Sequence, residues 1–243
     1  MRTIRRTSQF IILSGLAICA IVIRAQLAAP FTNAPPAMTG EKTVADRLKE
    51  FGAVVHARLE PRFHEIGVPY PPKKLILVGL KQERQLELWV SDGSHDFRYL
   101  KSYPILAASG TWGPKLKEGD RQVPEGLYKI ESLNPNSRFH LALRVNYPND
   151  FDKEHGRRDE RTHLGGDIMI HGGAASIGCL AMGDDAAEDL FVLAAETSIK
   201  NISVILTPLD FRVRDLPPNS APAASLTPDL YAQIRKALAP LKQ

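Results

Sequence analysis

Cysteine is scarce in this 243-residue chain: there are two, Cys19 and Cys179. Cys19 falls inside a stretch that reads as an export leader, so the body behind it holds Cys179 alone. One thiol forms no internal disulfide, and the fold must rest on its core. A lone thiol in an oxidising compartment is a liability unless it is buried or used, and the plain alternative is a small buried hydrophobe. Net charge is also in short supply. There are 31 basic and 27 acidic residues, but Arg2, Arg5, Arg6 and Arg24 lie within the first 25 residues, which contain no acid. The rest of the chain balances at 27 against 27, which excludes the broad basic footprint that a nucleic-acid partner needs. No internal repeat is visible, and no apolar run reaches the roughly 20 residues of a membrane span. What is present, 44% hydrophobic and 24% charged residues, excludes wholesale disorder and collagen-like repeats. The length suits one domain of roughly 150 residues with additions.

The apolar run at residues 10–23 follows the arginine cluster and precedes Ala25 and Ala28. This is the layout of a signal peptide, or of an uncleaved signal anchor, over residues 1–25. Either places the body in the periplasm or cell envelope, with membrane contact only through an uncleaved leader. Ile18 disfavours a lipoprotein site at Cys19. Pro30, Pro35 and Pro36 make residues 26–40 a stiff linker. Val44, Leu48, Phe51, Val55 and Leu59 form one helical stripe, so residues 41–73 read as an N-terminal helical segment closed by Pro69, Pro71 and Pro72.

Strand-like runs follow at residues 75–80, 86–90, 99–107, 126–133, 139–145, 168–171 and 202–206, the second alternating as a half-exposed strand does. Among them one helix is expected, at 185–198, with Asp185 and Glu188 as a capping box. Few crossover helices among many strands predict a mainly β architecture, an antiparallel sandwich or barrel with helical decoration. After Arg214, Pro217, Pro218, Pro222 and Pro228 mark a linker. Leu230, Ile234 and Leu238 then form the stripe of a C-terminal helix, so residues 209–243 read as linker plus helix.

Chemistry concentrates in Asp167–Gly183, DIMIHGGAASIGCLAMG. His171 ends a short strand, a loop of small residues follows, and Cys179 comes eight residues later. A free thiol is only a few per cent thiolate at neutral pH, and an adjacent imidazole can take its proton and hold the ion pair. A glycine-rich hairpin can fold this spacing back until the side chains meet, and small residues admit a substrate backbone. The turn at Ile177, Gly178 and Cys179 can aim successive N–H groups into one pocket.

This segment resembles the active-site signature of the YkuD-type L,D-transpeptidases, bacterial enzymes that cross-link peptidoglycan. Ser109-Gly110-Thr111-Trp112-Gly113-Pro114 and the stretch from Asp120 to Tyr128 resemble further family turns. Asn134-Pro135-Asn136-Ser137 and Tyr147-Pro148-Asn149 resemble the YafK-like branch. The resemblance implies the L,D-transpeptidase fold over residues 74–208, Cys179 as nucleophile and His171 as general base. It also implies the Gly172 carbonyl as orienter of His171 and the amides of Ile177, Gly178 and Cys179 as oxyanion donors. The partners implied are peptidoglycan stem peptides, and a wall-linked lipoprotein if the enzyme instead hydrolyses diaminoacid–lysine bonds. No cofactor is needed for acyl transfer by a thiol and an imidazole.

The sequence departs from the commoner pattern in two places. Ile177 stands in for a histidine and Ala181 for an arginine, which brings hydrolysis into play beside transfer. Arg144 is a candidate to take over a carboxylate contact or, more simply, a solvated edge residue, and Ser176 binds substrate or, more simply, holds the turn. The charged stretch 150–163 reads as a solvated loop, or as a flap leading into the His171 strand. Trp112 and Tyr128 are groove or core aromatics. The even spacing of His163, His171 and Cys179 raises a zinc hydrolase as another reading, and a wall-binding module without turnover is a third.

Overall fold

A 22-residue helix, α1 (Val44–Glu65), opens the described part of the chain. The computed structural model describes residues 40–94, 96–217 and 225–242, so the leader expected at residues 1–25 and nearly all of the linker at 26–40 lie outside the described residues. Thr43 and Asp46 form the capping box of α1, satisfying amides that the first helical turn leaves unpaired. Its expected stripe faces the core: Val55, Leu59 and Phe63 are buried, and Val44, Leu48 and Phe51 pack against that core.

Nine strands follow as β1 (Lys74–Leu80), β2 (Gln85–Ser91), β3 (Arg98–Pro104), β4 (Ala107–Ala108), β5 (Gly126–Ser137), β6 (His140–Val145), β7 (Met169–His171), β8 (Leu180–Ala181) and β9 (Ile202–Thr207). They form one sheet in the order β3-β2-β1-β9-β5-β6-β7-β8-β4. Pairing is antiparallel except β1 with β9 and β7 with β8. The 12-residue β5 joins the two halves: Gly126–Lys129 pair with β9, and Ile130–Ser137 with β6 through two register shifts. Bulges of this kind bend a strand and let a sheet curl. The mainly β class with terminal helices is therefore what the chain adopts.

Helix α3 (Asp184–Thr197) packs with α1 on one face of the sheet. Helix α4 (Thr227–Leu238) covers the other face of β1, β2 and β9, with Leu230, Tyr231, Ile234 and Leu238 buried against Val78, Leu80, Trp89 and Ile205. That double cover corrects the expectation of a half-exposed β2. All of Leu86–Ser91 is buried, because strands covered on both faces lose polar alternation. Glu87 survives there by pairing with Arg212 at 2.8 Å and accepting from Trp89 Nε1 at 2.8 Å.

Two further expectations are corrected. Residues 150–158 are not a loop: α2 (Asp150–Arg158) is a helix with an Asn149–Asp152 capping box. Its charges serve helical spacing, with Glu154 pairing both Arg157 and Arg158. The capping box expected at Asp185 and Glu188 is absent. Gly183 is the N-cap without a side-chain bond, and Glu188 is drawn to Arg58 on α1 and to His140, each at 3.0 Å.

Candidate active site

The site is built where β7 ends and β8 begins. Parallel pairing sets His171 opposite Ala181 and Ile170 opposite Leu180. Cys179 thus immediately precedes β8, on the strand next to the one that carries His171. On the other side of β8, Ala107 pairs with Ala181 and Ala108 with Leu180 in antiparallel register. Ser109 comes next to Cys179 by that register, a cross-strand spacing of about 5 Å.

The Gly172-Gly173 turn has two separate steric reasons. A Cβ on Gly172 would lie 2.6 Å from both Asp184 Oδ1 and the Phe139 carbonyl oxygen. Gly173 has space but a φ of +67°, a conformation that costs other residues about 1–2 kcal/mol. Asp184, at the start of α3, accepts the Gly173 N–H at 2.8 Å and so fastens the turn to the helix.

His171 is buried, and its Nδ1 lies 2.6 Å from the Gly172 carbonyl oxygen. A carbonyl only accepts, so Nδ1 carries the proton and Nε2 is the basic nitrogen. Burial holds the imidazole pKa below its usual value, against the opposing effect of the Gly172 carbonyl. The ring is therefore neutral at pH 7. Phe139 stacks on it at 4.6 Å between centroids, and Phe139 was not singled out from the sequence.

Cys179 is half-buried, and its Sγ donates to the Asp167 carbonyl oxygen at 3.6 Å. Burial pushes the thiol up from its ordinary value, and the Met169 amide partly offsets this. The resting thiol is therefore protonated and turned toward the start of β7. Among the described residues its hydrogen bonds run to that strand and not to the imidazole. The thiol and the imidazole thus lie on neighbouring segments, each hydrogen-bonded to a backbone carbonyl.

The remaining candidates fall as follows. Ser176 Oγ donates to the Cys179 carbonyl at 2.6 Å, so it holds the turn. The Gly178 N–H donates to Ser109 Oγ at 2.6 Å, and Gly178 has a φ of +103°. The Ile177 side chain is 77% exposed where the commoner pattern has histidine. Ala181 is fully buried, leaving no charge at that position. Arg144 pairs with Glu131 at 2.9 Å and with Asp167 at 2.5 Å. Arg144 is thereby tied to the residue whose carbonyl receives the thiol. Asp167 is the second residue that sequence reasoning missed, and its signal was its place beside β7 at the start of the motif. Tyr128 is core, whereas Trp112 lines a cavity with Nε1 donating to Gln82 at 2.6 Å. His163 is exposed and bonded to Thr162. Among the described residues no three His, Cys, Asp or Glu are grouped to hold a metal ion, and no helix is long and apolar enough to cross a membrane.

The fold and this strand–turn–strand arrangement bring one thiol and one imidazole to adjoining segments of a curled β sheet. The family model of the YkuD L,D-transpeptidase catalytic domain matches residues 73–204, and the chain belongs to that family. YafK of Escherichia coli K12, which carries an L,D-transpeptidase name, is 39% identical over 113 residues. The match covers 46% of this chain and 43% of YafK, so the chain spans less than half the length of this relative. Among solved structures, the helical cell shape determining protein Pgp2 of Campylobacter jejuni aligns with a TM-score of 0.46 and 23% identity, over 56% of this chain and 48% of its own. L,D-transpeptidase 1 of Mycobacterium tuberculosis aligns with a TM-score of 0.32 and 18% identity, over 55% and 62%.

Proposed function

We propose that this protein is an exported cysteine L,D-transpeptidase acting on peptidoglycan stem peptides in the periplasm or cell envelope. The observation that carries the reading is the neutral His171, with Nδ1–H fixed on Gly172, on the strand next to a half-exposed Cys179. A base whose pKa sits below neutrality, beside a thiol that keeps its proton, suits proton transfer during attack rather than a stored thiolate.

In the first step Cys179 leaves the Asp167 carbonyl and gives its proton to His171 Nε2. Sγ bonds to the carbonyl carbon of a diaminoacid residue, and the carbonyl electron pair moves to oxygen. The amides of Ile177 and Cys179 stabilise that oxygen, joined by Gly178 if Ser109 yields its bond. Collapse breaks the C–N bond, and the leaving amine takes the proton from His171. The thioester on Cys179 is then attacked by an acceptor amine, whose proton returns through His171 to the departing sulfur. The product is a wall cross-link, or a protein lysine joined to the wall.

A second reading is favoured by one observation, the buried Ala181 in place of an arginine. Without that charge to order an acceptor, water resolves the thioester. The enzyme then cuts the bond between a diaminoacid and the lysine of a wall-linked lipoprotein. Mass spectrometry of muropeptides incubated with the protein and with Cys179→Ala tests both. New cross-links support transfer, and released lysine-linked fragments support hydrolysis. Unchanged muropeptides with retained wall binding in both proteins would sink the enzymatic reading.

A further inference from the structure

A cavity of about 380 Å³ lies beside the catalytic loop, lined by Lys81, Gln82, Arg84, Trp112 and the turn Ala108–Thr111. It begins one strand over from the Cys179 backbone. Ala108 is paired with Leu180, Ser109 follows opposite Cys179, and Ser109 Oγ holds the Gly178 amide. A peptide that runs from Cys179 across β8 to Ser109 meets this cavity within one cross-strand spacing.

Its charge is one-sided, for two cations and no carboxylate line it. Lys81 is already neutralised: Nζ pairs with the fully buried Glu125 at 2.7 Å and donates to the Gly113 and Val123 carbonyls. Among the described residues the Arg84 guanidinium has no hydrogen-bond or ion-pair partner. Only its backbone is engaged, through Ile105 and Lys81. Glu83, its sequence neighbour, is committed elsewhere, to Arg214 at 2.6 Å. Trp112 supplies an aromatic wall pinned by Gln82.

We propose that this cavity is a subsite for a free carboxylate of the peptide substrate, with Arg84 as its ligand. An unpaired guanidinium presents a donor fork that matches a carboxylate, and the absence of a competing acid leaves it available. The proposal rests on the stem-peptide reading above and adds to it the group that is recognised. The volume admits one or two amino-acid residues, at the small end of ligand pockets.

The test is calorimetric binding to the full chain carrying Cys179→Ala, which removes chemistry. The probes are a synthetic stem tetrapeptide and variants in which each carboxylate in turn is an amide. Arg84→Gln is expected to weaken binding of the parent peptide about fivefold or more, with Arg84→Lys in between. One amide variant should bind equally well with and without the Arg84→Gln substitution, which identifies the carboxylate. Equal binding of the parent peptide to both proteins overturns the subsite, as does an Arg84 effect that persists in every amide variant. Intact-mass detection of an acyl adduct on Cys179 in the otherwise unchanged enzyme is read separately. If the adduct fails to form while the Arg84 dependence holds, the transpeptidase reading falls and the subsite stands.

Discussion

Gly172→Ala is the sharpest probe of how the turn holds His171. The φ of Gly172 is not in the left-handed region, so alanine is conformationally allowed and the whole effect is steric. The new Cβ would sit 2.6 Å from Asp184 Oδ1 and 2.6 Å from the Phe139 carbonyl oxygen. Ordinary contact begins near 3.4 Å, so something must move by about 0.8 Å. Asp184 can rotate at the cost of its bond to the Gly173 amide, but Phe139 oxygen is backbone and cannot. The strand end must therefore shift, taking with it the carbonyl that orients His171. Overpacking of this kind costs about 1–3 kcal/mol, or roughly 2–4 °C in Tm per kcal/mol for a domain of this size. A misplacement near 1 Å costs about a hundredfold in rate. Thermal unfolding and muropeptide turnover are the assays. Gly173→Ala is the control: its Cβ meets only Phe139 at 3.6 Å, so the loss is about 1–2 kcal/mol from backbone conformation, with a smaller effect on rate. Wild-type Tm and turnover in Gly172→Ala would refute the steric reasoning.

Three more expectations follow from the same geometry. Alkylation of Cys179 by iodoacetamide should rise with pH through a transition higher than that of an ordinary thiol, because burial disfavours the thiolate, and a plateau titrating below pH 7 would mean a preformed ion pair. Burial raises the Asp152 carboxyl to about 6 from 3.8. The folded state thus holds its proton more tightly than the unfolded one, and this favourable contribution is lost as pH rises from 3.8 through 6. Relative to Asp152→Asn, the wild type should lose up to about 3 kcal/mol across that window, read from denaturant unfolding at each pH; a pH-independent difference contradicts the assignment. Glu125→Ala strands buried Lys81 and removes the acceptor for Tyr231 on α4 and for the Gly113 amide. It should cost about 3–5 kcal/mol in unfolding free energy, whereas Tyr231→Phe should cost about 1 kcal/mol; equal losses would contradict the ion pair's part.

Periodicity made the frame readable. The stripe from Val44 to Leu59 and the one from Leu230 to Leu238 each became a helix with that face buried, because apolar spacing records which side meets the core. The polarity of Glu87 misled, since nothing local announces that α4 covers the second face of β2 and that Arg212, 125 residues away, neutralises the charge. Helix α2 was hidden by its charge density, although Asn149 and Asp152 carried the capping signal. At the site, the strand–turn layout and the spacing of eight foretold that His171 and Cys179 would come to neighbouring segments, and the roles assigned to them rest on the family resemblance. Three things were not. The two-residue strands β4 and β8 are too short for any pattern, yet they set Ser109 and Cys179 side by side. The thiol's turn toward Asp167 and the stacking of Phe139 on His171 depend on strand register, which no local sequence feature encodes.

The proposed function stands on Cys179 as the covalent nucleophile with His171 as its base. Rapid-quench intact-mass spectrometry of the full chain with a stem tetrapeptide measures this directly. A transient acyl mass is expected on the Cys179 peptide, absent in Cys179→Ala, and formed about 10²–10⁴-fold more slowly in His171→Ala. Turnover by Cys179→Ala at the unmodified rate, or acylation that is indifferent to His171→Ala, would contradict it.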